Sequence, residues 1–334
     1  MKPVGIERDA LSTEVITDAA RLDEEIFEGW GRLVRDSPDA TPFAHPSFCL
    51  AWKRFHDPEY DPFILIRRSG RSVVAVAPME QLRSSNKMGF KRYKFIVSRS
   101  WMEMDLLPSG SKAPLCMLVD EVRSSLSPAV VDLFPLSPTS ETIQAVQSIE
   151  LSRGEKVEYS FSDRWTGARL VADGDWGRYR ATRSAKMRKN IRRNVKRLES
   201  MGKREVERIR RLRDRERVLG ELSRVVSFSW KESLSFNPGD YWAELITELN
   251  RLGWLDLFVM RIDSAPVSFA LFLHDEKRAC LLQTGYDERY SQFSPGTVLL
   301  WDAIESLFAD EDQTRYVDFL TSYRYLRRFA TCLV

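Results

Sequence analysis

Ser294-Pro295-Gly296-Thr297 is the stretch of this 334-residue chain whose residue types and order most directly suggest chemistry. Proline presets a helical φ, glycine lets a ligand approach the backbone, and threonine can cap. Together they open a helix predicted over 298–308. The free N–H groups of such a start, aligned with the helix dipole, hold an anion; an ordinary capped helix start would read the same. A second charge feature lies between Arg183 and Arg217, where 16 Lys/Arg meet 5 Asp/Glu, a net of +11. The whole chain carries +3, which leaves −8 for the rest. An anionic partner is expected on that segment, although a solvated charged helix is the commoner reason for such a run. Asp318 closes the last predicted strand. A carboxylate there can take a proton or orient a substrate, and pairing with Arg324 or Arg327 would explain it equally well.

Other chemistries find less support. Cys49, Cys116, Cys280 and Cys332 are far apart among apolar neighbours, without Cys-x-x-Cys spacing, and are expected to be reduced core thiols. His45, His56 and His274 show no ligand spacing, so no metal is expected. Hydrophobic residues at 43% and charged residues at 30% describe ordinary globular composition and exclude collagen-like or wholly disordered chains. No apolar run approaches the ~20 residues a spanning helix needs. The opening Met1-Lys2-Pro3-Val4 lacks an apolar signal core, so a soluble, cytoplasmic protein is expected. The length predicts two domains.

The elements that must position these residues follow from periodicity. Residues 1–20 read as an arm or an edge strand. Ile26, Phe27, Trp30, Leu33 and Val34 give a helix over 23–35, and Ser47 reads as the cap of another over 48–55. Strands at 63–67 and 73–82 flank Ser69-Gly70 as a hairpin. A strand at 93–98, a helix at 115–126, a strand at 130–136 and a helix at 141–151 complete a mixed α/β half. Met187, Ile191, Val195 and Leu198 place one apolar face on a basic helix over 184–200, with Gly202 as its C-terminal cap. A strand at 204–210 and helices at 219–229 and 241–252 follow. Then come strands at 255–262, 267–273 and 279–284, the helix at 298–308, and a strand at 316–320.

An ordered series of short motifs resembles the GNAT-superfamily acyltransferases of the CelD/BcsL type (BioF2-like acetyltransferase domain), which are related to the Fem aminoacyl ligases. It runs through Thr41-Pro42-Phe43, Pro46, Ala51-Trp52 and Val76-Ala77-Pro78. It continues with Ser184, Arg188, Asn190, Arg192 and Arg193, then Trp230-Lys231, then Asp263 with Ala265-Pro266-Val267. It ends with Gln283-Thr284-Gly285-Tyr286-Asp287, Tyr290, Ser-Pro-Gly-Thr and Asp318-Phe319. The resemblance spans roughly residues 40–330, and its specificity lies in the order. It implies an α/β (α+β) fold of two tandem GNAT-like domains, each a mixed sheet flanked by helices: an arm over 1–20, one domain over 21–175 and an acyltransferase domain over 176–334. It also implies N-acyl transfer from a CoA or acyl-carrier thioester to an amine, such as an amino sugar of exopolysaccharide or envelope synthesis, without a metal.

The resemblance further implies roles for individual residues. Asp318, Tyr286 and Gln283 would be catalytic, with a tyrosine donating to the leaving thiolate. Ser294, Gly296 and Thr297 would hold the donor phosphate. Ser184, Arg188, Asn190, Arg192, Trp230, Lys231, Tyr323 and Tyr325 would bind substrate or an acyl-carrier protein. For the aromatics, packing is the alternative, and Asp287 could pair with the basic helix. The sequence departs from the family pattern where Asp-Phe-x-Gly and a following Tyr-Lys are usual. Here Thr321 follows Leu320 and Leu326 follows Tyr325, and the chain stops at Val334, so a last strand is expected to be short or missing. These departures imply a weakened or non-catalytic member. A tRNA-dependent Fem-like ligase is a further reading, since a basic helix suits RNA. The donor, the acceptor and the oligomeric state are not specified by the sequence.

Overall fold

The computed structural model describes residues 11–37, 40–83, 90–98, 102–108, 111–124, 129–134, 136, 140–147, 167–172, 175–231, 234–275, 278–310 and 314–333. Contacts divide the chain into two units, Met1–Phe161 and Ser162–Val334. Both are mixed α/β with a sheet flanked by helices.

The first unit holds β1 (Leu11–Ile16), α1 (Glu24–Asp36), α2 (Pro46–Phe55), β2 (Tyr60–Ser69), β3 (Ser72–Leu82), β4 (Lys91–Phe95), α3 (Ala113–Ser124), β5 (Ala129–Asp132) and α4 (Glu141–Gln147). Its sheet runs β1-β2-β3-β4-β5, antiparallel except for the parallel β4–β5 pair. Of the two readings for the N-terminal stretch, Leu11–Ile16 takes the edge strand. The cap of α2 is His45, not Ser47: its Nδ1 accepts from the Ser47 N–H at 3.2 Å, and Pro46 occupies the first helical position, where a missing N–H costs nothing. β5 stops at Asp132, earlier than the expected 136. The proposed ends of α3 at 126 and α4 at 151 lie outside the described residues.

The second unit holds β6 (Ala168–Val171), α5 (Trp176–Thr182), α6 (Ala185–Glu199), β7 (Arg204–Ile209), α7 (Arg215–Ser227), α8 (Tyr241–Leu252), β8 (Leu255–Ile262), β9 (Ala265–His274), β10 (Arg278–Tyr286), α9 (Pro295–Phe308), β11 (Tyr316–Asp318) and β12 (Cys332–Leu333). The sheet order is β12-β6-β11-β10-β9-β8-β7. β6 pairs with β11 and β12, so the expected boundary at 175/176 lies inside this unit, between β6 and α5. β8 is buried at every position, as is β9 apart from its two ends. Helices cover both faces of these strands, which is why their sequences run continuously apolar instead of alternating. On one face, Phe258, Met260, Ala270 and Phe272 pack with Ile191 and Leu198 of α6 and Val298, Leu299 and Ile304 of α9. On the other, Phe236 meets Phe269 edge-on at 5.4 Å.

Two local expectations change. Gly202 does not cap α6; Ser200 does, in the right-handed region. Gly202 instead has φ +152 and lies under Asp263, where a Cβ would come 2.1 Å from Oδ2. Asp263 and Ser264, both at positive φ, form the tight β8–β9 turn, and the Asp263 carboxylate accepts the Lys203 N–H at 2.7 Å. Of the four cysteines, only Cys49 and Cys280 are buried; Cys116 and Cys332 are exposed, because the former faces out of α3 and the latter sits on the edge strand β12.

Candidate active site

The site grows from a mismatch between two parallel strands. β11 pairs with β10 only over Arg278–Cys280, whereas β10 continues to Tyr286. A register shift between Leu281 and Gln283 in the β9–β10 pairing adds a bulge where the β10–β11 pairing ends. From Leu281 onward, the β11-facing edge of β10 has no strand beside it among the described residues. Gly285 permits the close approach of β9 there, since a Cβ would fall 2.3 Å from the Phe269 ring. Ser268 Oγ donates to Gly285 O at 2.9 Å and fixes the carbonyl.

Three elements converge on this stretch. Lys231, just after α7, donates from Nζ to Gln283 Oε1 at 2.5 Å and to Thr284 O at 2.8 Å. Burial lowers its pKa from 10.5 to about 8 by desolvating the ammonium. Tyr325, 39% exposed, has a raised pKa because burial desolvates its hydroxyl, an effect the Thr284 side chain opposes. Tyr323 stacks on Tyr325 at 6.3 Å and 10°. Tyr286 lies against Gly296, where a Cβ would stand 3.5 Å from its ring. The first turn of α9 is therefore next to the end of β10. Its N-cap is Ser294, at φ 50 and ψ 53, with no side-chain cap bond; Thr297 is inside the helix and does not take the capping position. Ser294 is exposed and Gly296 half-buried; Thr297 N–H and Val298 N–H both bond Ser294 O, at 3.0 and 3.1 Å, so Gly296 supplies the first-turn N–H left for an anion among the described residues.

Residues 185–327 match the family described as the acetyltransferase (GNAT) domain. This part of the chain is similar to a GNAT-type acetyltransferase domain. No curated protein matches the chain in sequence. Among solved structures it is similar to FemX, at 12% identity and a TM-score of 0.60, covering 93% of this chain and 89% of that one. A conserved protein of unknown function from Bacteroides thetaiotaomicron VPI-5482 has 11% identity and a TM-score of 0.60, with 96% and 97% covered. L-PGS from Bacillus licheniformis has 13% identity and a TM-score of 0.54, with 89% and 77% covered. These likenesses show a fold shared with FemX and L-PGS.

Within the matched residues, several candidates are engaged elsewhere. Asp318 is 6% exposed, and its partner is neither Arg324 nor Arg327. Arg169 of β6 donates to its Oδ2 from Nη2 at 2.7 Å and Nε at 3.0 Å, while Leu320 N–H binds Oδ1 at 2.8 Å. Arg327 turns to Ser322 O at 2.6 Å. β6 carries too few residues to signal itself, so this pair is invisible in the sequence. Asp287 does not reach the basic helix: it caps the 3-10 turn Glu288–Phe293 and pairs with Arg289 at 2.6 Å, because that arginine is two residues away. Trp230 is not core but 65% exposed, with Lys231 Nζ 5.7 Å from its ring. Tyr290 packs partly buried against the core.

On α6, Ser184 is the N-cap, accepting from Met187 N–H at 3.2 Å. Arg188 ties off α5 by donating to the carbonyls of Ala181 at 2.8 Å and Arg183 at 2.9 Å. Asn190 is half-buried and Arg192 exposed. Neither belongs to the β10 cluster by any hydrogen bond among the described residues. One group could in principle meet a cation, since Asp256, His274 and Asp310 offer atoms within 4.8 Å of one another. Arg208 already bridges it, at 2.5 Å to Asp256 Oδ2 and 2.7 Å to Asp310 Oδ2. Burial would raise the Asp256 carboxyl, but hydrogen bonds from Arg208 and His274 hold it below its usual value. Among the described residues no helix is long and apolar enough to cross a membrane.

Proposed function

We propose that the chain transfers an acyl group from a thioester to an amine at the free edge of β10. The observation that carries this reading is the convergence of Lys231, Gln283, Thr284 and Tyr325 beside the uncapped start of α9. Gly296 and its neighbours Ser294 and Thr297 hold the donor phosphate. The unpaired edge after Leu281 accepts an extended, amide-bearing donor arm as an added strand would be accepted. The donor is acyl-CoA or an acyl-carrier thioester, and the acceptor class implied by the resemblance is an amino sugar of exopolysaccharide or envelope synthesis.

Lys231 handles the protons. As an ammonium with a pKa of about 8 it is matched to a leaving thiol, whose ordinary pKa is ~8.5. The amine nitrogen attacks the carbonyl carbon and a C–N bond forms. The C–S bond then breaks, the ammonium gives its proton to sulfur, and the neutral lysine takes the extra proton from nitrogen. The products are an amide and a thiol, and Lys231 is restored. Gln283 and Thr284 O hold Nζ in place, while Tyr286, Tyr323 and Tyr325 line the acceptor side. Asp318 is a positioning residue in this reading, since Arg169 and Leu320 N–H use its oxygens.

Thiol release from acetyl-CoA with amino-sugar acceptors tests the reading. Turnover by the native chain and its loss in Lys231→Met with retained fold are expected. Equal turnover by Lys231→Met would refute the assignment of Lys231, and no thiol release with any thioester would refute the activity.

A further inference from the structure

Ten lysines and arginines lie between Trp176 and Leu198, and no aspartate or glutamate. Arg183 and Arg188 are spent on backbone carbonyls. Lys186, Lys189, Arg192, Arg193, Lys196 and Arg197 are all exposed along α6. None of these six has a carboxylate partner among the described residues. Arginines beyond α6 behave differently: Arg204, Arg208, Arg210, Arg215, Arg217 and Arg261 each meet an acid. A fold that neutralises those arginines leaves this row open. Five of its cations line an open groove of about 720 Å³.

The opposite face of α6 is fixed in the core by Ile191 and Leu198, so the row is held rigidly. The same helix packs on α9 and on the 3-10 turn Glu288–Phe293, the segment leading into the donor end of the site. From Lys186 to Arg197 the row is roughly 16 Å long at ~1.5 Å per residue. That is the length of about three helical turns of a partner. The solvent side carries no aromatic platform for bases and no apolar wedge for a bilayer. Outside 176–198 the second unit has 21 Lys/Arg against 25 Asp/Glu, so a polyanion longer than the row would run onto opposing charge.

We infer that the α6 row docks an acidic surface helix of a small acyl-carrier protein, which delivers the thioester to the site beside it. This rests on the transferase reading above and names its donor. Salt-sensitive, moderate affinity is expected of a contact made mainly of exposed charges.

The test compares the native chain with Lys189→Glu/Arg193→Glu/Lys196→Glu and with the corresponding triple alanine variant, all shown folded by circular dichroism. Binding to a holo-acyl-carrier protein is read by calorimetry, and transfer is followed from acetyl-carrier protein and from acetyl-CoA. Charge reversal is expected to weaken carrier binding about 30-fold and kcat/KM with the carrier donor as much, with alanine intermediate. Transfer from acetyl-CoA stays within about twofold, since no α6 side chain touches the reacting atoms in this reading. Raising salt from about 0.05 to 0.3 M reproduces the loss. No carrier binding, equal binding by the reversed variant, or equal losses with both donors would overturn the inference. Tighter α6-dependent binding of transfer RNA or of phosphatidylglycerol vesicles would overturn the carrier assignment in favour of that partner. Binding is read apart from turnover, so α6-dependent carrier binding without any transfer would sink the transferase reading alone.

Discussion

Lys231 gives the sharpest prediction because burial, not a charge partner, sets its pKa. The lowering from 10.5 to about 8 means the folded chain releases this proton before the unfolded chain does. Below pH 8 both states hold it, and it contributes no slope. Between pH 8 and 10.5 the unfolded state binds the proton and the native state does not, so stability rises with pH. Integrated over that window, the shift corresponds to about 3 kcal/mol at ~1.4 kcal/mol per unit. Lys231→Met has no such group and lacks this rise. Urea unfolding of the two proteins at closely spaced pH values from 7 to 10.5 measures the difference, and other titrating groups cancel in it. The native chain is expected to gain up to about 3 kcal/mol relative to the variant across the window. Parallel pH profiles would show that Nζ is not desolvated, and with it the proton-shuttle argument would fail.

Four further outcomes are expected. With an acceptor already deprotonated, kcat/KM declines above about pH 8 as Lys231 loses the proton it gives to sulfur, and a pH–rate profile checks this. Gly296→Asp places a carboxylate where the donor phosphate binds; the neighbouring Tyr286 ring leaves room for a Cβ, so KM for acetyl-CoA rises about tenfold with little change in Tm. Gly285→Ala drives a methyl into Phe269 and destabilises by about 2 kcal/mol, measured by urea unfolding. Asp318→Asn strips the charge from the Arg169 pair and costs about 2 kcal/mol, while transfer from acetyl-CoA stays within severalfold.

The sequence is most legible where burial is two-sided or amphipathic. Leu255–Ile262 and Tyr241–Leu252 begin and end where their apolar pattern does, and the α6 face of Met187, Ile191, Val195 and Leu198 meets the core as its spacing requires. β6 and β12 are not legible, because strands of four and two residues carry no period; their existence depends on β11, far away in the chain. The caps mislead for a related reason. His45, Ser200 and Ser294 hold capping positions through backbone geometry that neighbouring Ser47, Gly202 and Thr297 advertise more loudly by type.

The site repeats this lesson in electrostatic form. Its residues are in view as separate motifs, but their partners are not. Asp318 looks like a base from its place at a strand end, yet Arg169 holds one of its oxygens and the Leu320 N–H the other, so both are already engaged. The lysine missing after Tyr325 looks like a lost function. Yet Lys231, about a hundred residues earlier, donates to the carbonyl of Thr284, the residue whose side chain opposes the upward pKa shift of Tyr325. A lysine is therefore present at the β10 edge, supplied by a different element. Arg327 does not stand in for it, since its guanidinium donates to Ser322 O and Oγ. Only a desolvated ammonium has a proton to give near neutrality, and the burial that makes it available is a property of the folded β10 edge.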